Sequence, residues 1–68
     1  MYINSNNEKI EPKTLETTHI INALAKAYRE IFNSTNMKEF EIYSNNIMVL
    51  RAELDKRINN FADNIEVE

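Results

Sequence analysis

Not one of the 68 residues is glycine or cysteine, and this double absence closes off more architectures than any other feature of the chain. Phosphate-cradling loops and dinucleotide folds need glycine where the backbone approaches a ligand or adopts positive φ. Any left-handed position must instead be filled by asparagine, the next most tolerant residue, and Asn33, Asn36 and Asn64 are placed to end helices. Without cysteine there are no disulfides and no thiolate metal sites. The single histidine, His19, has no set of spaced carboxylates with which to build a metal centre, so no metal site and no cofactor of its own are expected. A chain of this length offsets its ordering entropy with difficulty unless it borrows stability. With those two staples excluded, a partner surface is the remaining source, and self-association into a homodimer is the expectation.

The net charge of −3 is carried without a basic face, which argues against nucleic-acid binding. Asp63, Glu66 and Glu68 concentrate negative charge in an acidic tail over 63–68. No apolar run is long enough to span a bilayer, so no membrane association is expected. The opening Met1-Tyr2-Ile3-Asn4-Ser5 lacks the basic and apolar regions of a signal peptide, which makes a cytoplasmic location the expectation.

The hydropathy pattern predicts an all-α fold, an antiparallel two-helix hairpin over 15–62. Residues 1–14 are polar, unpatterned and hold the only proline, Pro12, so they read as a flexible arm. Helix 1 is expected over about 15–33, where Ile21, Leu24, Tyr28 and Ile31 form a stripe and Thr14 or Thr17 can cap the start. Ala23 then falls on the outer face. Asn33-Ser34-Thr35-Asn36 interrupts the pattern with residues that prefer caps and turns.

Residues 37–43 fit two readings. Phe40-Glu41-Ile42 alternates like a short strand, yet Phe40 and Tyr43 also extend a helical stripe, and Asn36 with Glu39 resembles a capping box. Ser44-Asn45-Asn46 is weak as helix interior and good as a helix start, so helix 2 is placed over about 44–62. There Ile47, Leu50, Leu54, Ile58 and Phe61 make one continuous apolar stripe, and Glu53 with Arg57 forms an i, i+4 pair in the favourable order. These five residues, with Ile21, Leu24, Tyr28 and Ile31, are the expected core or self-association residues. Two such hairpins can pair into a four-helix bundle.

Glu53 and Asp55 fall on opposite flanks of that stripe, about a quarter-turn away on either side, so they are not a converging carboxylate pair. Met48, Ala52, Asp55, Asn59 and Ala62 share a second, shallower face. It suits a docking surface in which small Ala52 allows close approach and Asp55 can reach into a partner. Met48, Ala52, Asp55 and Asn59 are the expected partner-binding residues.

Arg51-Ala52-Glu53-Leu54-Asp55, inside a second helix that follows a first amphipathic one, resembles the small aspartyl-phosphate phosphatases of spore-forming bacteria, which regulate sporulation. Their signature is Ser-Gln-Glu-Leu-Asp with an apolar residue three positions on, carried on an antiparallel helical hairpin. Glu53, Leu54 and Asp55 match it, Ile58 takes the apolar position, and Ile47 with Ser44-Asn45-Asn46 fits where the family begins its second helix. The signature serine and glutamine are Arg51 and Ala52 here, and the glycine before the second helix is missing. The resemblance implies docking on a phosphorylated response regulator that brings its own Mg²⁺, with Asp55 as the catalytic residue that orients the attacking water. Taken together, the residues point first to a regulatory protein that works by helix-mediated protein contact. The phosphatase is the alternative, and an inhibitor of phage or plasmid type a second.

Overall fold

The computed structural model describes residues 1–65, an elongated body 50 × 21 × 15 Å in extent. Two short strands, β1 (Tyr2–Ile3) and β2 (Lys9–Ile10), pair antiparallel with Tyr2 opposite Ile10 and Ile3 opposite Lys9. A 3₁₀ turn (Pro12–Thr14) leads into α1 (Thr17–Asn33), and a three-residue link delivers the chain to α2 (Met37–Ile65). The fold is therefore mainly helical, a packed antiparallel helix pair, with a β-hairpin that the sequence pattern did not announce.

Residues 1–14 are not a free arm. Asn4 builds the hairpin loop: its Oδ1 accepts from the Asn6 and Glu8 amides, both at 2.9 Å, and its own amide donates to Glu8 O at 3.0 Å. A β-turn closes by Asn7 N–H donating to Asn4 O at 3.0 Å, and Asn7 takes the left-handed φ of 64° that such a loop needs. The asparagine required in place of glycine thus serves the hairpin. Among the described residues no helix end uses that conformation, and Asn64 lies within α2.

Two consecutive asparagines of α2 fasten the hairpin. Asn46 is buried, 3% exposed; its Oδ1 accepts from Ile3 N–H at 2.9 Å and its Nδ2 donates to Ile3 O at 2.8 Å. The side-chain amide thereby takes the place of a third strand on the outer edge of β1. Asn45 Nδ2 donates to Met1 O at 2.8 Å. Both side chains are engaged across the chain, so Ser44-Asn45-Asn46 does not start helix 2, as the sequence pattern suggests. The start is at Met37, where Asn36 Oδ1 accepts from the Glu39 amide at 2.8 Å. Residues 37–43 are helix, and α2 continues past position 62 to Ile65. Of the acidic tail expected over 63–68, residues 66–68 lie outside the described residues.

Helix α1 begins at Thr17, two residues later than expected, and its start is not capped by threonine. Glu16 occupies the N-cap position without a side-chain bond, Thr14 Oγ1 donates to Glu11 O, and Thr17 Oγ1 accepts from Arg57 Nη1 at 2.9 Å. At the far end the Ser34 hydroxyl donates to Ile31 O at 2.8 Å and absorbs a terminal carbonyl.

The core departs from the predicted stripe on α1. Ile20, Ala23 and Ala27 are its buried residues, while Ile21 is 49% and Tyr28 39% exposed. The hairpin is the physical cause. Tyr2 packs with Leu15, Leu24, Val49 and Leu54 around Ile20, Ala23 and Leu50, so α1 must turn its small residues toward the strand layer. Ala23 is core, not outer face. On α2, Leu50 is fully buried and Leu54 partly so, but Ile58 and Phe61, expected to complete the stripe, are 55% and 66% exposed because they lie past the point where α1 begins.

Replacing Asn46 with alanine removes both bonds to Ile3 and leaves its peptide unpaired against the helices. The expected cost is about 2 kcal/mol in urea unfolding, with loss of exchange protection at the Ile3 amide. A change below about 0.5 kcal/mol with that amide still protected would rule out the fastening described here.

Candidate functional site

The α2 flank named from the sequence is exposed in the folded chain. Met48 is 67% exposed, and Ala52, Asp55 and Asn59 are all at the surface. One helical turn separates successive members, which places them in a row along α2. A shallow open groove of about 500 Å³ brings Met48, Ala52 and Asp55 together with Ser44, Ile47, Arg51 and, from α1, Ile31. Asn59 is on the same flank but does not line the groove. Its floor is apolar, from half-buried Ile31 and Ile47, and its rim carries opposite charges on Arg51 and Asp55.

Ala52 also lines a second depression, with Met1, Pro12, Lys13, Val49 and Lys56, on the hairpin side of α2. A methyl group therefore marks the ridge between two hollows, and a partner can approach the α2 backbone closely along that line.

The two acidic residues of the Glu53-Leu54-Asp55 run have different surroundings. Glu53 is partly buried, and its Oε2 accepts from Arg57 Nε at 2.8 Å. Arg57 goes further, with Nη1 donating to Thr17 Oγ1 and Nη2 to the carbonyls of Pro12 at 3.4 Å and Lys13 at 3.3 Å. One guanidinium thus ties α2, the start of α1 and the 3₁₀ turn together. Glu53 is engaged in this structural knot. Asp55 is exposed on the opposite flank and, among the described residues, makes no hydrogen bond or ion pair.

Arg51 and Ser44 belong to the groove although the sequence pattern did not single them out; Arg51 was visible there only as a departure from the phosphatase signature. Asn46 and Arg57 were missed as organising residues, since nothing local distinguishes a buried asparagine from a helix-start one.

A more enclosed hollow, about 200 Å³, lies under the hairpin between Tyr2, Ile3, Ala23, Ala27, Tyr43 and Asn46, smaller than ordinary ligand pockets. Among the described residues no three His, Asp or Glu side chains converge as metal ligands, and His19 is exposed. No helix among the described residues is long and apolar enough to cross a membrane. No family model, curated protein or solved structure matches the chain.

The contrast between the two carboxylates is measurable. Asp55→Asn should leave stability within about 0.5 kcal/mol, because an exposed unpaired carboxylate holds nothing in place. Glu53→Ala should cost about 1 kcal/mol, because the partly buried Arg57 loses its charge partner. Equal effects in thermal unfolding would contradict these assignments.

Proposed function

We propose that the chain is a regulatory contact protein that docks on another protein through the α2 flank at Met48, Ala52, Asp55 and Asn59. The observation that carries this reading is the groove itself: an apolar floor, a wall with small Ala52 and exposed Met48, and a rim of opposite charges. An amphipathic helix of a partner suits such a surface, with apolar anchors against Ile47 and Met48 and a polar edge toward Arg51 and Asp55. Methionine at the contact favours adaptable packing. Chemistry inside the hollow under the hairpin is disfavoured by its size, about 200 Å³.

The exposure and lack of partners of Asp55 favour one specific version of this function, the aspartyl-phosphate phosphatase. A phosphoaspartate on a response regulator is already labile and has its own Mg²⁺, so a helper need only dock and orient one water. Asp55 would supply the orienting oxygen, and Leu50 and Leu54, seated in the core, would hold the helix behind it. Ala52 in place of the family's glutamine removes one polar contact to the reacting group.

A photo-crosslinking side chain at position 59 is expected to capture one defined protein in cells, and Met48→Glu should abolish that capture. Capture that survives Met48→Glu would overturn the docking site. For the phosphatase, loss of phosphate from a phosphorylated sporulation-type response regulator should exceed its spontaneous rate and return to it with Asp55→Ala. No acceleration, or an unchanged rate in the variant, rejects that version while leaving the docking site standing.

A further inference from the structure

The β-hairpin covers only one side of the helix pair. Ala23 and Ala27 on α1, with Ile42, Tyr43 and Asn46 on α2, lie beneath it. About a third of a turn around each helix from these residues, on the other side of the α1–α2 seam, both helices are again apolar. On α1 this face carries Ile21, Tyr28 and Phe32, the last 85% exposed, and on α2 Phe40 and Ile58, 49% and 55% exposed, with Met37 at its edge. Because the helices run antiparallel, the two apolar sectors turn toward the same side. Half-buried Leu24, Ile31, Ile47 and Leu54 form the seam between them.

We infer that this face is closed by a second copy of the chain, giving a four-helix bundle whose two β-hairpins lie on its outer surfaces. Three observations favour a second copy as the occupant. First, among the described residues only Ile20 and Leu50 are large side chains fully buried in the single chain, a thin core for two helices. Second, at roughly 200 Å² for a fully exposed large side chain, the exposed parts of Ile21, Tyr28, Phe32, Met37, Phe40 and Ile58 amount to on the order of 700 Å². A stable twofold interface takes about 800 Å² from each partner. Third, the charges around the face are of both signs, Arg29 and Arg51 against Glu41 and Asp55, all exposed, so a copy turned by a twofold axis meets a balanced rim. Two apolar helix pairs laid face to face make the layered core that neither pair has alone.

The exposed apolar residues of this face are not those of the docking row, although the two surfaces share Ile31 and Ile47 at the seam and Arg51 and Asp55 at the rim. Phe32 is the most discriminating probe of the pairing. At 85% exposure it packs against little of its own chain, so Phe32→Glu leaves the single chain's fold intact. Sedimentation equilibrium of the wild type at tens of micromolar should give twice the 8.0 kDa chain mass, and the melting temperature should rise with concentration. Phe32→Glu should weaken association by at least about tenfold, and Phe32→Glu with Phe40→Glu should give the single-chain mass. Ala52→Glu should keep the paired mass while abolishing partner capture, which separates failure of the pairing from failure of the docking row. A wild type that stays at single-chain mass at 100 micromolar (about a hundredfold above a micromolar dissociation constant), a mass above two chains, or a paired mass that persists in the double variant would each overturn the assignment.

Discussion

Two hydrogen bonds between one asparagine side chain and one backbone residue set the orientation of everything else in this fold. Asn46 presents its amide to Ile3 as a neighbouring strand would, accepting from the N–H and donating to the carbonyl. A two-residue strand with one open edge has little reason to persist in water. With that edge occupied by an amide fixed on a helix, the hairpin becomes a lid. Asn46 could not be buried at 3% exposure without this pairing, so each half of the contact requires the other.

From the lid follows the rotation of α1. An amphipathic helix with a wide apolar sector can bury either side of it. The strands ask for close backbone approach, which Ala23 and Ala27 permit and Ile21 or Tyr28 would not. The larger residues are turned to the other side, where the described residues leave them uncovered. The surface with binding potential is in this sense a by-product of how the N-terminal residues pack.

The helices were legible in the sequence because each follows from local rules. Leu50 at the middle of the α2 stripe is fully buried, and the Asn33–Asn36 break falls where the link is. What was not legible depends on contacts more than forty residues apart, such as Ile3 with Asn46. Asn45 and Asn46 look like helix-start residues by propensity, and their use as fasteners is a tertiary override of that preference. The hairpin did leave one trace, an asparagine-rich Asn4-Ser5-Asn6-Asn7 run between two short pairs containing isoleucine, but without glycine the turn signal is muted. Of the site, the α2 flank was legible because exposure on a helix follows from periodicity. The isolation of Asp55 was not, since Arg51 lies one turn before it on the same rim, a spacing that allows an ion pair which the described residues do not make.

The two helices differ in length, 17 residues against 29, and Arg57 marks where the shorter one stops supporting the longer. No residue from Ile58 to Ala62 is buried, so this stretch of α2 is held by its own backbone bonds alone. Isolated helical turns are marginal in water, and their stability rises when an apolar side is covered. The overhang is accordingly a local thermometer for occupancy: backbone amides there exchange nearly independently of global unfolding, and any protein that lies across Ile58 and Phe61 slows them. A partner laid across this end of the molecule would draw on helix formation, and its affinity would depend on temperature and on helix propensity at positions that touch no partner at all.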